Sequence, residues 1–168
     1  MRLPCSIMVL SRVHLPGQQA FNNRMLVYIC NDIDRLMEDT NCYLFVYGTL
    51  LDSDNEYSNH LLNRSTFYSA GKFKGKLYDV DEYPGAIYQP GGDSYVYGKI
   101  YLITDPVKTL KILDEYEGFG ENEAQPNLFV RELIGIETGD KTVDCWVYLY
   151  NLPVEGFMQI FSGNYSGR

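Results

Sequence analysis

From Tyr43 onward the hydrophobic positions fall in short runs of strand-forming residues separated by glycine, proline and polar turns. YLFVY, ending at Tyr47, stops at Gly48 and predicts a first strand running into a turn. Ser53 to Arg64 then sets Tyr57, Leu61 and Leu62 at helical spacing, with Ser53 or Asp54 as the cap. GKFKGKLYDV, residues 71–80, places Phe73, Gly75, Leu77 and Val80 in the loose alternation of a half-buried strand, and YPG at Tyr83 to Gly85 predicts a turn. AIYQ and YVYGKIYLI are two further strands joined through PGGDS, which has hairpin-loop chemistry, so this stretch reads as a meander.

The clearest helix starts at Asp105, an N-cap acid followed by Pro106 at the first helical position, and ends near Gly118. Advancing about 100° per residue puts Val107, Leu110 and Leu113 on one side and brings Glu117 between Leu110 and Leu113. Glu115 falls on the opposite side with Lys108 and Lys111. Two more strands, LFVRELIGIE and TVDCWVYLY, flank a turn at Thr138-Gly139-Asp140, and the tail after Asn151 reads as loop or a short helix. Short strands outnumber helices, so the expected class is α+β around a largely antiparallel sheet or small barrel.

Residues 1–42 differ. Two apolar patches, IMVL and MLVYIC, lie in polar sequence without a sustained period, and two readings stay open: an extra strand or helix, or a natural start at Met37. The favoured reading is a dispensable N-terminal extension followed by one domain over 43–168. No apolar stretch approaches the length of a membrane helix, and Pro4 interrupts the only segment that imitates a signal peptide.

Composition narrows the partners. Fourteen basic residues against 22 acidic ones give a net charge of −8 with no basic run, which disfavours nucleic acid. Cys5, Cys30, Cys42 and Cys145 form no C-x-x-C pair and no zinc spacing with histidine, so a metal site is disfavoured and a cytoplasmic protein with free thiols is expected. No membrane partner is expected, and the sequence does not give the oligomeric state.

Two elements could carry chemistry. Glu117 points at the core from a helix end, where burial and the helix dipole both disfavour its charged form. A carboxyl group poised nearer neutrality can donate and accept a proton, as a general acid/base must. The pattern alone leaves a second reading open, a helix-end glutamate paired with a cation or turned to solvent. In Tyr47-Gly48-Thr49-Leu50, consecutive backbone N–H groups could converge on an anion, with Gly48 admitting close approach; an ordinary strand-ending turn fits equally. His60 has no partner at catalytic spacing and reads as a packing or capping residue. Cys145, beside Trp146 in a strand, reads as a small buried hydrophobe.

In order along the chain, FVYGTL (Phe45 to Leu50), Asn59-His60, GKLYDV with YPG (Gly75 to Gly85), VYGKIYLI (Val96 to Ile103), LDEYEG (Leu113 to Gly118) and CWVYLY (Cys145 to Tyr150) resemble the γ-glutamylcyclotransferase-like superfamily. The similarity is greatest to its γ-glutamylamine cyclotransferase and AIG2-like branch. The resemblance implies a small mixed, largely antiparallel β-barrel flanked by helices, and a cofactor-independent enzyme that releases 5-oxoproline from a γ-glutamyl amine or γ-glutamyl amino acid by lactam formation. It implies Glu117 as the acid/base, Tyr47, Gly48, Thr49 and Leu50 as the loop holding the glutamyl group, and Tyr148 as a pocket-side residue. The chain departs from similar proteins at Phe129, where a tyrosine is frequent two residues before the arginine. The competing expectation is a non-catalytic module binding a small carboxylate on the same fold. A γ-glutamyl group carried by a larger molecule is a third.

Overall fold

The computed structural model describes residues 41–51, 56–81 and 83–165. The extension proposed for residues 1–42 therefore lies, up to Thr40, outside the described residues, as do the caps Ser53 and Asp54. The elements are β1 (Tyr43–Val46), a 3-10 turn (Thr49–Leu51), α1 (Glu56–Leu62), β2 (Ser65–Val80), β3 (Tyr83–Tyr88), β4 (Tyr95–Ile103), α2 (Pro106–Glu117), β5 (Phe129–Glu137), β6 (Thr142–Tyr150) and β7 (Met158–Gln159). Among the described residues no helix is long and apolar enough to cross a membrane.

Five strands close a mixed barrel in the order β2-β4-β1-β6-β5, with β5 returning to β2 through Lys72 opposite Glu137. All these pairings are antiparallel except β1 with β6, where Leu44 lies opposite Trp146 in a parallel pair. Phe45, Phe73, Ile100, Ile136 and Val147, one or more from each barrel strand, are buried in one cluster that fills the interior. The alternate residues Leu44, Val46, Ile103, Phe129, Tyr148 and Tyr150 are buried in a second cluster with Leu61 of α1 and Leu110 and Leu113 of α2. Strands buried on both faces read as continuous apolar runs instead of alternating ones. That accounts for YLFV and WVYLY.

Four expectations need correction. YPG is no turn: Tyr83 to Gly85 open β3, with Pro84 opposite Asp79, and the chain reverses at Asp81, whose φ is 60°. Among the described strands β3 pairs only with β2, and an edge strand tolerates proline. The meander is also wrong, because β2 is long enough to pair with β4 over one half and β3 over the other, so PGGDS joins two strands that do not pair. The tail contains a short strand where a helix or loop was expected; β7 pairs with Tyr78 and Asp79 of β2. Finally, Val107 is 60% exposed. The buried stripe of α2 is Pro106, Thr109, Leu110 and Leu113, and the burial of the small polar Thr109 turns the stripe away from Val107 while leaving the Glu117 direction inside it.

This stripe predicts the stability of two variants in urea. Leu113→Ala, at a fully buried position, is expected to cost about 2–5 kcal/mol. Val107→Lys is expected to stay within about 0.5 kcal/mol of the native chain.

Candidate active site

Glu117 is the last residue of α2, and both ends of that helix are fixed by its sequence. The Asp105 side chain accepts from Lys108 N–H at 3.2 Å, and Pro106 occupies the first turn, where its missing N–H costs nothing. At the far end Gly118 adopts the left-handed conformation (φ 64°); its N–H donates to Glu115 C=O and Phe119 N–H donates to Asp114 C=O at 2.9 Å. This is a Schellman cap, which stops the helix one residue after Glu117. The Glu117 side chain is set among protein atoms, with part of its surface opening on the cavity that it lines. Burial pushes its carboxyl up from 4.5 to about 8. Among the described residues no cation pairs with it.

The cavity has a volume of about 290 Å³. Its walls are the Tyr47 to Leu50 segment, Tyr83 and Pro84 of β3, Tyr116 and Glu117 of α2, Leu128 and Phe129 entering β5, and Tyr148 of β6. Each residue singled out from the sequence as a site candidate thus borders one space. Leu51 N–H closes the 3-10 turn on Gly48 C=O at 2.9 Å, and Ser58 of α1 donates its hydroxyl to Leu50 C=O at 2.9 Å. Gly48 is small for a packing reason: a Cβ there would lie 2.7 Å from the Pro84 ring. Thr49 Oγ1 and the Tyr116 hydroxyl are 3.3 Å apart, and Tyr116 stacks on Tyr57 of α1 with ring centres 4.3 Å apart.

The two candidate tyrosines line the cavity with their hydroxyls engaged elsewhere. Tyr47 donates to Tyr148 C=O at 2.7 Å and accepts from Ala86 N–H at 3.3 Å. Burial, then the nearby Glu117 carboxylate, holds its phenol well above the usual tyrosine range. Tyr148 donates to Asp114 Oδ1 at 2.8 Å, a shorter contact than the 3.4 Å to Leu110 C=O, and its single proton serves the shorter. Burial and then the Asp114 carboxylate hold this phenol up as well. Asp114 in turn is paired with Arg131, whose Nη1 lies 2.9 Å from Oδ1 and 3.0 Å from Oδ2. Burial, joined by a smaller push from Glu115, holds the Asp114 carboxyl above its usual range although Tyr148 and Arg131 lower it.

Sequence reasoning passed over Asp114, although it lies three residues before Glu117 and so on the same helix face. It also passed over Tyr83, Pro84, Tyr116 and Leu128, which come to the cavity through strand pairing and loop closure that spacing does not reveal. Phe129, noted as a departure, is in the cavity wall with its ring against Tyr83 and Tyr150, at 5.8 and 5.6 Å. His60 and Cys145 do not border the cavity. Nε2 of His60 is buried on α1 without a partner among the described residues, and burial pushes the Cys145 thiol up to about 12, the wrong direction for a nucleophile. Among the described residues no three His, Cys, Asp or Glu side chains gather into a possible metal site.

A carboxyl group titrating at about 8, on the wall of a small and largely apolar cavity, can receive and return a proton near neutral pH. The same shift affects stability. Below pH 4.5 the group is neutral in both folded and unfolded chains; between 4.5 and 8 only the unfolded chain ionises, so the folded state loses stability as pH rises. Glu117→Gln is therefore expected to melt with the native protein at pH 4 and well above it at pH 8. The gain should approach about 3–5 kcal/mol at about 1.4 kcal/mol per pH unit. Equal melting temperatures at both pH values would contradict the burial.

A family model described as gamma-glutamyl cyclotransferase, AIG2-like, matches residues 44–167. The gamma-glutamylcyclotransferase family protein ytfP of Citrobacter rodentium is 31% identical over 128 residues, covering 74% of this chain and 96% of its own. The gamma-L-glutamyl-butirosin B gamma-glutamyl cyclotransferase of Niallia circulans is 31% identical over 110 residues, covering 64% and 66%. Among solved structures, that of ytfP from Escherichia coli superposes with a TM-score of 0.54 at 28% identity, over 73% of this chain and 95% of that one.

Proposed function

The chain belongs to the AIG2-like γ-glutamyl cyclotransferase family, and on that premise we propose that it releases 5-oxoproline and a free amine or amino acid from a small γ-glutamyl compound, with Glu117 as acid/base. The observation that carries the reading is the Glu117 carboxyl, pushed up by burial to about 8 and so able to exchange a proton near neutral pH, on the cavity wall that it shares with the Tyr47 to Leu50 turn. A module that only bound a carboxylate would not need a group able both to take and to return a proton near neutral pH.

The substrate supplies its own nucleophile. Its α-amine attacks the γ-carbonyl carbon, a C–N bond closes the five-membered lactam, and the bond from that carbon to the departing nitrogen breaks. Because nucleophile and electrophile are tethered, the protein has to hold the reactive rotamer and manage protons. Glu117 in its carboxylate form takes a proton from the α-ammonium, which frees the lone pair for attack, and delivers it to the leaving nitrogen as the C–N bond breaks. A second proton, shed by the ring nitrogen once the new bond has formed, follows the same way, so the lactam keeps one N–H, the amine leaves as its ammonium and Glu117 ends as it began. The first N–H groups of a 3-10 turn have no partner within the turn. Those of Gly48, Thr49 and Leu50 are the donors for the substrate carboxylate or for the oxyanion that develops on the carbonyl. Tyr148 contributes wall, since its hydroxyl is taken by Asp114.

The test is 5-oxoproline release from a panel of γ-glutamyl amines, γ-glutamyl amino acids and γ-L-glutamyl-butirosin B, the last because one relative is named for it. The native chain is expected to turn over at least one member, and Glu117→Gln to lose about 10²-fold or more of kcat with folding intact. No release from any member would favour the carboxylate-binding module; full activity of the variant would place the proton transfer elsewhere.

A further inference from the structure

Glu117 and the Tyr47 to Leu50 turn belong to different parts of the fold, a helix packed outside the barrel and the end of a barrel strand. Tyr148 of β6 bonds to both sides. Its hydroxyl reaches Asp114 on α2, and its backbone carbonyl accepts the Tyr47 hydroxyl, which is itself held by Ala86 N–H of β3. Arg131 of β5 adds a second hold on α2. Its guanidinium takes the Asp114 carboxylate and lies over two rings, 5.1 Å from the centre of Trp146 and 5.7 Å from that of Phe119. Asp114 and Phe119 bracket Glu117 in the chain and are joined to each other by the helix cap.

We infer that Arg131, Asp114 and Tyr148 form a positioning unit that fixes the Glu117 carboxyl relative to the Tyr47 to Leu50 turn. Arg131 and Asp114 do not line the cavity, and the phenol of Tyr148, which does, is donated to Asp114. A surface ion pair would contribute little to stability. This one is partly buried, with both side chains about one-fifth exposed, two guanidinium contacts, a phenol donor and flanking rings. Such a cluster has one arrangement that satisfies all its members, and a planar guanidinium is the cation able to contact a carboxylate and stack on rings at once. The helix end is thereby set against β5 and β6 in a single register. An intramolecular cyclisation is sensitive to that register, because a displacement of about 1 Å can cost about 10²-fold in rate.

The inference rests on the proposed acid/base role of Glu117 for its catalytic consequence, and its structural half can be read without any activity. In the full chain, Tyr148→Phe removes one oxygen atom and Arg131→Lys keeps the charge but cannot make the two-sided contact; Lys111→Gln, on the exposed face of α2, is the control. Amide hydrogen exchange at Glu117, Gly118 and Phe119 is expected to accelerate at least tenfold in both variants, with the barrel amide of Val147 and the control unchanged. In 5-oxoproline release, kcat is expected to fall about tenfold to a hundredfold while KM changes less than threefold, because Arg131 does not line the cavity and Tyr148→Phe leaves in place the ring that does. Native exchange rates at 117–119 in both variants would overturn the inference, and so would a rise in KM with unchanged kcat. If the native chain releases no 5-oxoproline, the functional reading fails and the exchange rates alone decide the positioning unit.

Discussion

Taking a carboxyl group out of water disfavours its charged form, and the surroundings must then be rigid enough to keep water from returning. For Glu117 the desolvation comes from its place on the core side of α2, and the rigidity from what surrounds that last turn. A left-handed glycine ends the helix immediately after it. That last turn is bonded to β5 and β6 through Asp114, and the Arg131 guanidinium lies over the ring of Phe119, the residue after the glycine. Were the helix end to fray, the carboxyl would regain solvent and titrate as an ordinary glutamate. Its proposed chemistry depends on the packing of residues such as Leu61, Leu110 and Leu113 that do not line the cavity.

The barrel exists to provide that packing. A five-stranded closed sheet has an inside and an outside, and here both are covered along the strands that matter. Phe45 and Val147 fill the interior while their neighbours Val46 and Tyr148 face the helices. β1 and β6, the parallel pair, carry the Tyr47 turn and Tyr148 at the same end, so the candidate binding turn and the positioning tyrosine emerge side by side. The cavity opens there, between the barrel edge and α2, where Gly48 lets the Pro84 ring close one wall.

Much of this was legible before the structure. Asp105-Pro106 and Gly118 fixed the limits of α2, and a rotation of about 100° per residue put Glu117 on its inner face. The unbroken apolar runs marked β1 and β6 as strands, though not as strands buried on both sides. What could not be read was decided by tertiary partners. Val107 looked like core until the burial of Thr109 turned the helix, and YPG looked like a turn because its role as an edge strand depends on the length of β2. The Asp114–Arg131–Tyr148 cluster brings residues from three elements together, and only the first shares a visible period with Glu117.

The most direct test of the account is the titration of the Glu117 carboxyl itself, followed by its side-chain carbonyl ¹³C shift in the free, full-length protein and assigned by loss of the signal in Glu117→Gln. The account predicts a midpoint near 8, several units above the ordinary value of 4.5. A midpoint close to 4.5 would mean that the carboxyl is solvated, and the acid/base assignment would fall with it.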